Sequence, residues 1–182
     1  MAKVSRFPCA VYRFYSFCSF MTGKKYIIQT GTNNPILRTI SDKIEKIDEE
    51  LMHFAGDLVR LMYKNKGVGL AAPQVGKNIR IIATTQRGEK KGKDVIIDET
   101  IMINPNITAI SADCILSEEA CISLPDEKGK VRRHKSLIVE YTDIKGHRQK
   151  KKFKDFNATV IQHEIDHLDG ILFTDKLVKK RK

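Results

Sequence analysis

Residues 160–170 read VIQHEIDHLDG, with His163 and His167 four apart and Glu164 directly after the first histidine. Residues four apart share one face of a helix, so both imidazoles can reach a single cation. The neighbouring carboxylate is then close enough to move protons on a water at that cation without binding the ion itself, which is the logic of H-E-x-x-H. On a helical wheel Ala158, Ile161, Ile165 and Leu168 form one stripe, Gln162, Asp166 and Asp169 a second, and Val160, His163 and His167 a third. Glu164 lies between the histidines and the apolar stripe, and Gly170 is placed to end the helix.

Two nitrogens do not complete a catalytic site, which takes a third protein ligand and keeps one position open. No histidine or glutamate follows His167, and Phe173 stands where the longer H-E-x-x-H-x-x-G-x-x-H pattern puts its last histidine. A zincin-type endoprotease is therefore disfavoured, and the third ligand is expected upstream. Cys9 and Cys18 fall in a basic N-terminal stretch, leaving Cys114 and Cys121 as the leading thiols. Cys121, in EEACISLP, has an acidic approach and a proline exit that suggest a shaped loop, a slight advantage over Cys114.

The elements that must position these groups are legible in outline. Ile44, Ile47, Leu51, Phe54, Leu58 and Leu61 recur at helical spacing from Ser41 onward, predicting an amphipathic helix that ends at Gly67, with His53 on its flank rather than in a site. IRIIATT (79–85) reads as a strand and RGEKKGKD (87–94) as an exposed loop; 95–107, 136–146 and 148–156 read as further short strands. The expected fold is α+β: short antiparallel or mixed β-sheets packed around a central metal-binding helix, with an amphipathic helix near the N-terminus. At 182 residues the chain suits one domain, taken as residues 25–182.

Four widely spaced cysteines point away from a secreted disulfide scaffold. No run approaches the roughly 20 apolar residues of a membrane span. The first 41 residues hold no acidic side chain, so residues 1–24 are expected to be either an organellar transit segment or a disordered extension. The chain is accordingly expected in the cytoplasm or, if that segment is a transit sequence, in the mitochondrial or plastid matrix. The net charge of +11 gathers in HRQKKKFK (147–154) and in the terminal KKRK, which makes an acidic polymer a plausible neighbour and a solvated basic surface the plainer explanation.

GVGLAAPQVG (67–76), EEACISLP (118–125) and VIQHEIDHLDG (160–170), in this order, resemble the three signature motifs of the peptide deformylases, G-x-G-x-A-A-x-Q, E-G-C-x-S and Q-H-E-x-x-H. The likeness extends from about residue 35 to 175. It implies a hydrolase that removes the formyl group from the N-terminal formylmethionine of nascent chains and releases formate. It implies one divalent ion per chain on Cys121, His163 and His167, natively Fe(II), with Zn(II), Ni(II) or Co(II) also accepted. Glu164 would be the acid and base, and the Gln74 amide and Ile122 backbone N–H would hold the oxyanion. The substrate would lie extended beside Gly69, with its methionine against Val68 and Val160. Glu119 and Arg133 would pair behind the cysteine. A monomer is expected, with nascent peptides as partners and ribosomal RNA as a further partner of the basic patches.

Ala120 departs from the family glycine, and a positive φ there would strain the cysteine segment. The chain also ends twelve residues after Gly170, without the long C-terminal helix of many bacterial members. Two other readings stand beside the enzyme: a basic ribosome- or RNA-binding module stapled by a structural metal, and a family member of altered activity.

Overall fold

The structure, a computed structural model, describes residues 26–90 and 92–179; the extension at 1–24 lies outside them. After a single helical turn, α1 (Pro35–Arg38), come α2 (Glu49–Lys64), β1 (Gly69–Ala71), β2 (Ile81–Lys90), β3 (Lys93–Ile110), β4 (Cys114–Cys121), β5 (Leu124–His134), β6 (Ser136–Thr142), β7 (Arg148–Lys154) and α3 (Asp155–Leu168). Short 3-10 turns occupy Ala72–Val75 and Phe173–Lys176. Five strands form one antiparallel sheet in the order β1-β2-β3-β6-β7, and β4 and β5 form a separate hairpin.

Strand alternation explains how one sheet serves two helices. Leu70, Ile81, Ala83, Ile101 and Ile103 face the α2 residues Phe54, Leu58 and Met62. Their neighbours Ala71, Ile82 and Met102 face the other way and, with Leu137, Val139 and Phe153, pack on Ala158, Ile161, Ile165 and Leu168 of α3. A third cluster joins Cys121, Leu124 and Val131 of the β4–β5 hairpin to Leu37, Leu172 and Phe173. The metal-motif helix therefore lies between the main sheet and the hairpin, as the α+β expectation requires.

Several boundaries differ from the sequence reading. The amphipathic helix starts at Glu49 rather than Ser41. Asp48 caps it by accepting from the Leu51 N–H (3.0 Å), while Asn104, sixty residues on, accepts from the Ile44 N–H (2.9 Å) and donates to the Ile44 carbonyl (2.7 Å). With those backbone groups engaged, residues 43–47 stay outside the helix, although Ile44 and Ile47 still pack on the same core. At the other end Lys66, not a glycine, takes the left-handed turn (φ +57°). Gly67 lies close against the site, since a Cβ there would lie 2.7 Å from Ile122 Cδ1 and push that side chain aside.

The stretch 87–94, read as a loop, belongs instead to the long β2–β3 hairpin, where Arg87 pairs with Ile96 and Lys90 with Lys93. Its polar residues misled because exposed hairpin strands need no apolar alternation. Cys121 ends a strand rather than sitting in a loop, and β4 and β5 were not anticipated. Ala120 lies within β4 opposite Lys128 and is not among the positive-φ residues, so alanine is accommodated there without left-handed strain.

Candidate metal centre

Three elements converge on one corner. α3 contributes His163, Glu164 and His167; the end of β4 contributes Glu119 and Cys121; the 3-10 turn after β1 contributes Gln74. One donor atom from each of Cys121, His163 and His167 lies within 4.8 Å of the others. Cys121 Sγ is 3.2 Å from His167 Nε2. Cys114 stands at the far end of β4, exposed, about 23 Å of strand away at roughly 3.3 Å per residue. Tertiary placement thus separates the two thiols that sequence alone left close.

The corner suits a divalent ion by its charge as well as by its donors. His163 turns its Nδ1 to Glu119 Oε2 (2.8 Å), which leaves Nε2 for the interior. Burial opposes a charge on His163, yet hydrogen bonds to Cys121 and Glu119 carry its pKa up to about 10. A site that draws a proton so strongly is electron-rich, and proton and metal ion compete for the same lone pair. Burial and the neighbouring cations push His167 well below its ordinary value, so it presents a neutral nitrogen. Its Nδ1 has no partner among the described residues.

Behind His163 lies a closed ion network. Arg133, 2 % exposed, grips Glu119 with Nε and Nη2 (2.7 and 2.9 Å) and gives Nη1 to Asp166 Oδ2 (2.5 Å). Lys176 donates to the other Asp166 oxygen at 2.6 Å. Burial raises the Glu119 pKa, but the bonds to Arg133 and His163 outweigh it and bring the carboxyl down to about 2. Glu119 is therefore a fixed anion that sets the tautomer of His163.

Glu164 is the opposite case. It is 4 % exposed, its Oε2 has no partner among the described residues, and burial lifts its pKa to about 7. Gly69 is what lets it fit: a Cβ at that position would overlap Glu164 Oε1. The glycine of the first motif and the glutamate of the third are thus one packing unit.

Gln74 is held on both ends of its amide. The Ala71 N–H donates to Oε1 (2.8 Å), while Nε2 donates to Ser123 Oγ (3.2 Å) and Cys121 Sγ (3.4 Å). The backbone bond at Oε1 sets the amide orientation, with N–H toward the corner. Ile122, Val68, Gly69 and Val160 line the cavity that opens on this corner. β1 is a terminal strand of its sheet, so one edge of Gly69 has no strand beside it among the described residues.

Three residues near the site were not singled out by sequence reasoning as site residues: Ser123, Asp166 and Thr159. Ser123 lies in the C-x-S of the second motif, and Asp166 inside HEIDH, so both had a signal. Thr159 had none, and it lines the cavity one turn before His163.

A buried pair of imidazoles and a sulfur, with an unsatisfied carboxylate alongside, suits metal-assisted hydrolysis as a class. Known proteins narrow that class. The family model described as polypeptide deformylase matches residues 25–182. The peptide deformylase of Finegoldia magna is 41 % identical over 146 residues, covering 80 % of this chain and 86 % of that one. Among solved structures, the Met-Ala-Ser-bound class I type b peptide deformylase of Acinetobacter baumannii superposes with a TM-score of 0.77 at 31 % identity, covering 85 % of this chain and 99 % of that one. A probable peptide deformylase of the Synechococcus phage S-SSM7 gives 0.76 at 37 % identity, covering 84 % and 100 %. This chain belongs to the peptide deformylase family.

Proposed function

We propose that the protein hydrolyses the formyl amide of N-formylmethionyl nascent chains, releasing formate, with residues 25–182 as its single catalytic domain. Family membership supports the reaction, and the observation that carries the residue assignment is the buried Glu164 oxygen without a partner beside the Cys121, His163 and His167 donors. Those three side chains would hold one divalent ion, which supplies Lewis acidity toward the formyl oxygen and toward water. Fe(II) is our reading of the native ion; Zn(II), Ni(II) and Co(II) satisfy the same two nitrogens and one sulfur.

Glu164 takes a proton from the attacking water and returns it to the departing amine nitrogen. The Gln74 Nε2–H and the Ile122 backbone N–H donate to the oxygen that becomes negative, and donors fixed in advance stabilise that charge more than the ground state. Glu119 and Arg133 act at one remove, keeping His163 oriented. The substrate backbone adds to the open edge of β1 at Gly69, with the methionine side chain between Val68 and Val160.

The protein works as a monomer in this reading, in the cytoplasm or, if residues 1–24 direct import, in an organelle matrix. Among the described residues no helix is long and apolar enough to cross a membrane. Arg148, Lys150, Lys152 and Lys154 alternate along one face of the terminal strand β7, which supports contact with ribosomal RNA there and through KKRK. Ribosome association that survives both removal of residues 179–182 and Lys150→Glu with Lys152→Glu, at physiological salt, would end that part of the proposal.

The central test is formate release from formyl-Met-Ala-Ser by anaerobically prepared protein supplied with Fe(II) or Ni(II), beside Glu164→Ala. Turnover in the wild type and its loss in a variant that still binds metal is the expected result. A folded, metal-loaded wild type without turnover would overturn the reading.

A further inference from the structure

After α3 the chain turns back toward His163 and holds it from two sides. Phe173, fully buried, stacks on the His163 ring with centroids 6.1 Å apart and planes 25° from parallel. Three residues on, Lys176 donates to Asp166 Oδ1 (2.6 Å) and completes a chain of ion pairs that runs from Asp166 to Arg133, from Arg133 to Glu119, and from Glu119 to His163 Nδ1. Lys176 is the member of this chain that reaches water, with 40 % of its side chain exposed against 12 % for Asp166 and 2 % for Arg133. Both of its neighbours are fastened. Asp175 accepts from the Leu172 N–H (2.9 Å) and from Arg38 (3.1 Å), while Leu177 bridges to Val131 of β5 and the Val178 N–H donates to the Lys130 carbonyl (2.9 Å).

Two carboxylates and two cations balance in the chain, and Arg133 divides its donors unequally, two N–H groups to Glu119 and one to Asp166. A buried carboxylate needs a partner for its charge. Without Lys176, Arg133 is the one side-chain cation left on Asp166 among the described residues. Asp166 then competes with Glu119 for a single guanidinium, and any shift of Arg133 toward Asp166 loosens the carboxylate that orients His163. We propose that Lys176 is a positioning residue for the metal centre: by holding Asp166 it keeps Arg133 on Glu119 and the His163 imidazole turned toward Cys121 and His167. Charge alone predicts the reverse effect. Taking a cation away from the neighbourhood of a divalent ion favours binding of that ion by Coulomb's law, so the sign of the change separates positioning from general electrostatics. This inference rests on the assignment of Cys121, His163 and His167 as ligands and needs no substrate.

The test measures Zn(II) affinity by competition with a chelator in wild type, Lys176→Met and Lys176→Arg, with the visible spectrum of the Co(II)-loaded proteins as a report on ligand geometry. The Zn(II) dissociation constant should rise about fivefold in Lys176→Met, less than the roughly 10–100-fold effect of a direct partner of a ligand, because Lys176 stands three contacts behind Glu119 and is partly solvated. The Co(II) bands should shift in the same variant. Lys176→Arg, which keeps the charge and the donors, should restore both. In an Asp166→Asn background Lys176→Met should change nothing further. Unchanged or tighter Zn(II) binding in Lys176→Met, a Lys176→Arg protein as weak as Lys176→Met, or losses that add in the double variant overturn the inference alone. A folded wild type that binds no divalent ion overturns the ligand assignment beneath it.

Discussion

α2 and α3 cover opposite faces of the same sheet, yet they are built on different principles. In α2 the residues facing the sheet are apolar, and its ends carry charge outward, with Glu49 82 % exposed. In α3 almost every side is buried, and the buried set includes Thr159, Gln162, Glu164, Asp166 and His167. Each polar member needs its own arrangement. Gln162 bonds both the N–H and the carbonyl of His134 (3.0 Å each), Asp166 meets Arg133 and Lys176, and Asp169, just past the helix end, accepts from Arg80 (2.7 Å). Glu164 Oε2 and His167 Nδ1 have no hydrogen-bond partner among the described residues. A helix that only supports a fold can satisfy itself with hydrophobic burial, whereas one that carries chemistry keeps polar groups in low dielectric and leaves some unsatisfied.

The contrast can be broken at either helix. Glu164→Gln keeps the shape of α3 but removes the proposed proton carrier, so kcat should fall by about 10²–10⁴-fold with metal content retained, measured by formate release and metal analysis. Arg133→Ala removes the guanidinium shared by Glu119 and Asp166 and leaves these two buried carboxylates with His163 and Lys176 as their remaining side-chain partners among the described residues. Chemical denaturation should show a loss of about 3–5 kcal/mol, and metal affinity should weaken roughly 10–100-fold as His163 loses its orientation.

On α2, Leu58→Ala opens a cavity at a fully buried position and should cost about 2–5 kcal/mol of stability, while kcat per folded molecule stays at the wild-type level. Equal losses of kcat from Leu58→Ala and Glu164→Gln would erase the distinction between the helices. Asp48→Ala removes the cap of α2 and should cost about 1 kcal/mol in the same denaturation assay.

The smallest effect lies away from both helices. The hydrogen bond from Arg38 holds Asp175 below its ordinary pKa, joining the segment before α2 to the turn after α3. A depressed folded value means the stabilisation is present above the unfolded pKa of about 3.9 and is lost as pH falls through the lower folded value. Asp175→Asn should therefore lower Tm slightly at pH 7, with the gap closing in acid; a gap that persists at the acid limit would assign the effect to something other than this pair.

The comparison also shows why some features were legible and others were not. The helical stripe of Leu51, Phe54 and Leu58 and the H-E-x-x-H spacing are local patterns, set by 3.6 residues per turn, and a linear reading captures them. The start of α2 was misplaced because Asn104 arrives from β3 to hold Ile44, and no local pattern reports a partner sixty residues away. The β2–β3 hairpin tip was misread because residues 87–94 are all polar or glycine, and such a run shows no apolar alternation.

By itself, the sequence determined the family, the two histidines and the glutamate of the H-E-x-x-H motif, and the helix that carries them, because each is written in short motifs whose chemistry depends on residue type and spacing. Only the tertiary structure decided that Cys121 rather than Cys114 reaches the histidines, that Ala120 is unstrained, and that Gly69 makes room for Glu164. Those outcomes depend on strand register and on distances between elements far apart in the chain. They follow from how one sheet, one hairpin and α3 share a buried interior, and no segment carries that information alone.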